Sequence, residues 1–93
     1  MLHEEREALS KLTLDLQRAT DSLEEELQAT DWYRQRAEAC NDEELKKILI
    51  HNMNEEKEHA AMLMEWIKRH DKEFDEEFRK YLNSEPKGIT EME

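Results

Sequence analysis

The first 85 residues contain neither glycine nor proline; the 93-residue chain has one of each, Gly88 and Pro86. Their absence excludes glycine-rich phosphate loops, dinucleotide-binding fingerprints and the Asn-Gly or Asp-Gly turns of tight hairpins, all of which need glycine. A single cysteine, Cys40, cannot close an intrachain disulfide and fits a reducing, cytoplasmic setting. No apolar run approaches the roughly 20 residues of a membrane span. The charged stretch from Met1 to Glu7 lacks the apolar centre of a signal peptide, so no membrane partner is expected. Basic residues are the minority, 14 Lys and Arg against 25 Asp and Glu for a net charge of −11. Without a basic stripe the chain is not expected to bind nucleic acid. Apolar residues make up 37% and charged residues 42%, enough for one domain with a modest core. Chains of this kind are often completed by association.

What remains is rich in strong helix formers, and the apolar residues are periodic, which argues against disorder. Ser10 suits a helix N-cap. It is followed by a 3/4-spaced seam of Leu16, Ala19, Leu23, Glu26, Thr30, Tyr33, Ala37 and Cys40, flanked by Leu12, Leu27 and Trp32. Asn41-Asp42 suits a turn and a new cap, with Glu43 and Glu44 at the positive end of the next helix dipole. A second stripe runs Leu45, Leu49, Asn52, Glu56, His59, Leu63, Trp66 and His70, widened by Ile48, Met53, Ala60 and Ile67. The spacing predicts an all-α chain: helix 1 over about 10–40, helix 2 over about 43–70, a short helix over about 72–83, and a frayed or disordered tail over 84–93. Two long helices joined by two or three residues must run antiparallel. Alone they enclose no core, and a second copy would complete a four-helix bundle.

The informative residues are polar ones in phase with the apolar seams. Glu26 sits between Leu23 and Thr30, and Glu56 and His59 sit between Asn52 and Leu63. Glu56 to His59 forms a Glu-x-x-His, which places a carboxylate and an imidazole on one helix face. With 19 Glu and four His in the chain, the motif alone carries little weight. Its placement carries more, because a carboxylate at an apolar seam needs a partner or a metal. One Glu and one Glu-x-x-His are half of the di-metal carboxylate set of ferritin-like bundles. A two-fold dimer supplies four carboxylates and two imidazoles, enough to balance two divalent ions. The same residues also suit an ordinary coiled coil, in which they only set register. Tyr33 lies two turns from Glu26, either as core filler or as a phenol beside a redox metal. Trp32 and Trp66 read as interface aromatics, and Cys40 as a small core residue. His51, Glu55 and Glu58, at i, i+4 and i+7, form a strip beside the seam that could hold a divalent ion between subunits or make a salt bridge.

Asp31-Trp32-Tyr33, Arg36-Ala37, Ala39-Cys40, Asp42 to Lys46 and above all the run Asn54 to Met62, with Glu65-Trp66-Ile67 and Arg69 after it, resemble the encapsulated ferritins from about Ser10 to Leu82. The resemblance implies a half-ferritin that dimerises into a ferritin-like bundle and assembles as a decameric ring. It implies a ferroxidase that oxidises Fe(II) with dioxygen at a di-iron centre shared across the dimer. The iron ligands would be Glu26, Glu56 and His59, with Tyr33 near the iron and Trp32 near the metal uptake route. Peripheral positions for calcium or other divalent ions would be His51, Glu55 and Glu58. An outer uptake site would use Glu25 and a second acid whose place is taken here by the neutral Gln28. The family also implies an encapsulin shell as partner, with mineral stored in its lumen. The segment from Lys87 to Glu93 does not resemble the usual shell-targeting peptide. That fits either a truncated form or a domain joined directly to a shell protein. The alternatives outside this family are a non-enzymatic helical-hairpin adaptor and a structural metal-binding dimer.

Overall fold

Ser10 does open the first long helix. Its side chain accepts a hydrogen bond from the Thr13 backbone N–H at 3.1 Å, satisfying one of the free donors of the first turn. The computed structural model describes residues 1–82 and 87–93. Within these, α1 spans Lys11–Ala39, α2 spans Glu43–His70 and α3 spans Lys72–Tyr81. Short 3₁₀ turns lie at Arg6–Ala8 and Ile89–Met92. The described residues contain no strand, and none of the helices is long and apolar enough to cross a membrane.

With no glycine or proline to interrupt them, α1 and α2 run for 29 and 28 residues, roughly 42–44 Å at 1.5 Å per residue. Cys40, Asn41 and Asp42 join them, and α1 and α2 pack along one another as an antiparallel hairpin. Asp42 starts α2 by accepting from the Leu45 N–H at 2.8 Å. Asp71 both ends α2 and caps α3, accepting from the Phe74 N–H at 3.1 Å. Lys68, Arg69 and His70 occupy the last turn of α2, where cations suit the negative end of the dipole.

The short helix, expected over about 72–83, ends at Tyr81 with Leu82 as its C-cap; position 83 lies outside the described residues. The expected disordered tail falls partly at 84–86, also outside them. Its remainder departs from expectation: Ile89–Met92 makes a 3₁₀ turn, with the Glu91 N–H donating to the Gly88 carbonyl at 3.0 Å. A four-residue turn carries no hydrophobic period, so pattern reading does not detect it.

The hairpin encloses very little. Ala19, Ala37, Ala60, Ile67 and Thr30 are its buried side chains, and no described residue is fully enclosed. The extents are 50 × 38 × 19 Å and the radius of gyration is 17.1 Å, against about 12 Å for a compact domain of this length. The thin dimension holds a single layer of helices, each 10–12 Å across with its side chains. Leu12, Leu27, Trp32, Leu45 and Ile48 are left about half exposed.

One detail of α2 differs from the expected seam. The side chains most buried against α1 are Ala60 and Ile67, which the spacing placed on the flank of the stripe. Glu56, His59, Leu63 and Trp66 are only partly buried. The Glu-x-x-His line therefore runs along the edge of the α1–α2 contact rather than through its middle. It opens onto a face that the chain itself does not cover.

Candidate metal centre

Helix geometry brings the three seam residues together from two elements. Glu26 comes from the middle of α1. Glu56 and His59 come from the middle of α2, one turn apart. Antiparallel pairing sets the two midpoints side by side. One ligand atom from each of the three lies within 4.8 Å of the others, and among the described residues this is the one such set of three. His59 Nδ1 is 3.4 Å from Glu26 Oε2 and 3.6 Å from Glu56 Oε2. Both carboxylates are 23% exposed and the imidazole 42%, so the cluster is covered beneath and open on one side.

The electrostatics are unfavourable to the isolated hairpin. The Glu26 carboxyl is raised above its ordinary value of 4.5. The largest cause is the Glu56 carboxyl beside it, which favours a proton shared between the two. Burial adds to this, as does the charge on Glu56, while the nearby His59 acts in the opposite direction. Glu26 Oε2 is buried and accepts no hydrogen bond. A buried acceptor with no donor beside a like charge is costly unless a cation takes the donor's place. The donor set fits that role: two hard carboxylates and an imidazole suit Fe(II), and also zinc or manganese.

This strain gives a testable pH dependence. An acid whose folded pKa is raised holds its proton longer in the folded state than in the unfolded chain. The stability it contributes is present below 4.5 and lost as pH rises through the folded pKa. The metal-free protein is therefore expected to weaken as pH rises above 4.5, and Glu26→Gln to flatten that slope and stabilise the metal-free form near neutrality. Urea melts in chelator across this range check it; equal slopes for the two proteins would contradict it.

The other expected site residues are placed less tightly. Tyr33 is half-buried, one of its ring faces covered by the Arg36 guanidinium at 5.4 Å; the same guanidinium lies 5.9 Å from the Trp32 ring. Trp32 is exposed and lines a shallow hollow of about 210 Å³ with Gln35 and Arg36. Glu25 and Gln28 are exposed on α1. On α2, His51 Nε2 approaches Glu55 Oε1 at 3.7 Å. Glu58 borders a separate open groove of about 460 Å³ with Met62, Glu65 and Trp66. Two contacts escaped the sequence reading. One is Arg36 over both aromatics, for which its i+3 and i+4 spacing from Tyr33 and Trp32 was the available signal. The other is Glu55 Oε2, 4.0 Å from His59 Nε2, again at i+4.

Comparison with known proteins identifies the family. Residues 1–85 match the EncFtn-like family. The chain is 51% identical over 83 residues to the encapsulated ferritin-like protein of Rhodospirillum rubrum, covering 89% of this chain and 59% of that relative. The chain thus spans a little over half that relative's length. It is 47% identical over 96 residues to a ferritin-like protein of Thermotoga maritima, covering all of this chain and 83% of the relative. A shorter match, 44% identical over 52 residues, covers 56% of this chain and 40% of the encapsulin nanocompartment cargo protein EncC of Myxococcus xanthus. Among solved structures, the crystal structure of protein ne0167 from Nitrosomonas europaea superposes with a TM-score of 0.87 at 53% identity, covering 92% of this chain and 94% of that one. With this fold and a family match over nearly its whole length, the chain belongs to the EncFtn-like family.

Proposed function

We propose that this chain is half of a ferroxidase, completed when a second copy covers the open face of the hairpin. The observation that carries the reading is the Glu26–Glu56–His59 cluster, with its unsatisfied buried oxygen, set at the edge of an uncovered helical layer. Each chain offers two carboxylates, sufficient to neutralise one divalent ion. Two chains related by a two-fold axis offer four carboxylates and two imidazoles around two ions. Fe(II) is the substrate. The carboxylates hold it and offset the extra positive charge that develops as each iron gives up an electron to dioxygen. His59 supplies a neutral donor that adds no charge to the set. Tyr33, two turns along α1 from Glu26, would donate a hydrogen bond or an electron towards the oxidised site. Glu25 and Trp32 on the exposed face of α1 would serve iron uptake, with Gln28 weakening that outer site by the loss of one charge. His51, Glu55 and Glu58 would offer secondary positions for calcium or another divalent ion at a further interface.

A single layer of helices has no cavity in which to store mineral, so Fe(III) must leave for another compartment. Relatives named as encapsulated ferritin-like and encapsulin cargo proteins support an encapsulin shell as that compartment, within which dimers would assemble into a decameric ring. The test is aerobic addition of Fe(II) to the purified chain, following Fe(III) absorbance and molecular mass together. Saturable oxidation by an associated species is expected. Full turnover by a monomer would sink the shared-site reading. Metal binding without oxidation would instead identify a structural metal dimer, and neither response would identify an adaptor.

A further inference from the structure

We propose that Thr30 is a positioning residue for Glu26, its hydroxyl fixing the turn of α1 from which the Glu26 carboxylate reaches the cluster. This inference rests on the metal-centre reading above. Among the described residues Thr30 is the one buried polar side chain, at 7% exposure. Its Oγ1 donates to the Glu26 backbone carbonyl at 2.8 Å, well within hydrogen-bond distance. The residue it grips is the one whose carboxylate Oε2 is buried with no donor.

Burial makes threonine a costly choice at position 30. Valine has the same branched shape and would bury there with no hydroxyl to satisfy. The hydroxyl is not needed by the helical ladder either, because in an α-helix the Glu26 carbonyl already accepts from the Thr30 N–H. A side-chain donor on that same carbonyl bends the helix locally, at a slight cost in stability. Thr20 makes the same bond to the Leu16 carbonyl at 2.8 Å, but Thr20 is exposed and Leu16 is no ligand. At Thr30 the gripped peptide belongs to a proposed ligand, and the gripping side chain is buried where α1 packs on α2. Because α2 carries Glu56 and His59, the bond fixes Glu26 with respect to both of its partners. Glu26 Oε2 lies 3.4 Å from His59 Nδ1, a spacing that a small shift of this turn would change. Thr30 thus acts through Glu26 and need not touch the metal.

Anaerobic Co(II) titration, read by d–d absorption, tests this with wild type, Thr30→Val, Thr30→Ser, Thr20→Val and Glu26→Ala, alongside urea melts in chelator. Thr30→Val is expected to weaken Co(II) binding about 10-fold, the lower end of the effect of losing a group behind a ligand, and to alter the Co(II) spectrum. In chelator the same variant is expected to be at least as stable as wild type, since it relieves the bend and leaves no group unpaired. Thr30→Ser keeps the hydroxyl and is expected to bind as wild type does. Thr20→Val removes the same kind of bond away from the site and is also expected to match wild type. The proposal is overturned if Thr30→Val binds as wild type does while Glu26→Ala does not, an outcome that leaves the metal centre standing. It is overturned equally if Thr30→Ser or Thr20→Val loses as much affinity as Thr30→Val, because the effect then belongs to the methyl group or to the helix at large. A joint loss of affinity and metal-free stability in Thr30→Val would make Thr30 a packing residue and overturn it too. Binding by Glu26→Ala equal to wild type would instead refute the metal centre itself. A second readout needs no variant: proton spectra of Zn(II)-loaded wild type are expected to show the Thr30 hydroxyl proton in slow exchange with water. A freely exchanging hydroxyl would overturn the assignment even if Thr30→Val failed to fold.

Discussion

Replacing Glu26, Glu56 or His59 by Ala is expected to reduce aerobic Fe(II) oxidation by on the order of 100-fold or more, since loss of a group merely behind a ligand already costs about 10–100-fold. In a two-fold assembly each substitution acts twice, removing two of six protein donors. The charge balance sharpens the comparison among the three. Glu26→Ala or Glu56→Ala removes two negative charges per dimer, leaving two carboxylates against two divalent ions. His59→Ala removes no charge and is expected to leave residual binding while spoiling the geometry. A fold-based explanation is separable from a chemical one, because Glu26 Oε2 is buried without a donor beside a like charge. Removing that carboxylate relieves strain in the metal-free chain, so the least active variant is expected to melt no lower than wild type in chelator. Stopped-flow oxidation followed by Fe(III) absorbance, with parallel circular dichroism melts, would measure both. Unchanged oxidation in all three variants would place the chemistry elsewhere. A parallel fall in activity and metal-free stability would assign the cluster a structural role.

Opposite effects on function and metal-free stability are what a site retained for binding should show. Glu26 lies in phase with Leu23 and Thr30, where leucine would pack better against a partner. The pair Glu26–Glu56 is tolerable in the folded chain only through a proton, the nearby His59 or a cation. The buried oxygen without a donor lies within the set of three metal-competent side chains; a register-setting residue would instead find its donor on a partner helix.

Much of this was legible in the sequence for identifiable reasons. The lack of glycine and proline before position 86 leaves nothing to break α1 or α2, and Ser10 and Asp42 are caps whose side chains do accept the expected backbone hydrogen bonds. The three clustered residues were visible because a charge in an apolar seam is an exception to the pattern. Which part of the wide apolar arc on α2 meets α1 was not visible. Periodicity reports that a residue is suited to burial, not which neighbour buries it, and a helix destined for two partners carries two adjoining stripes. Ala60 and Ile67 turned out to face the hairpin partner, leaving Leu45 and Ile48 about half exposed. The Glu55–His59 contact was hidden for a different reason. Among 19 glutamates, i+4 spacing to a histidine is commonplace, and only the side-chain rotamers distinguish a facing pair from a solvated one.

Metal-linked assembly is the second large effect expected. The hairpin's buried side chains are three alanines, one isoleucine and one threonine, so metal-free association must rest on half-exposed residues such as Leu27, Leu45 and Ile48 and work against a net charge of −11 per chain. Divalent ions bound at the shared site change both terms. At the proposed shared site they would neutralise four carboxylates and bind the associated state in preference to the separate chains. A ligand present at 100 times its Kd contributes about 2.7 kcal/mol to the state it binds, roughly a 100-fold gain in association for one site and the square of that for two independent sites. Sedimentation velocity of a dilution series in chelator, in Zn(II), and in Fe(II) without oxygen is therefore expected to show the monomer boundary receding to at least 100-fold lower protein concentration with metal. Glu26→Ala, Glu56→Ala and His59→Ala are expected to match wild type in chelator, since the apolar faces are untouched, and to lose most of the metal-dependent association. A boundary that ignores metal in wild type would mean that each hairpin holds its ions alone. Metal dependence surviving intact in all three variants would move the linkage to another interface, with His51 and Glu58 the next residues to replace.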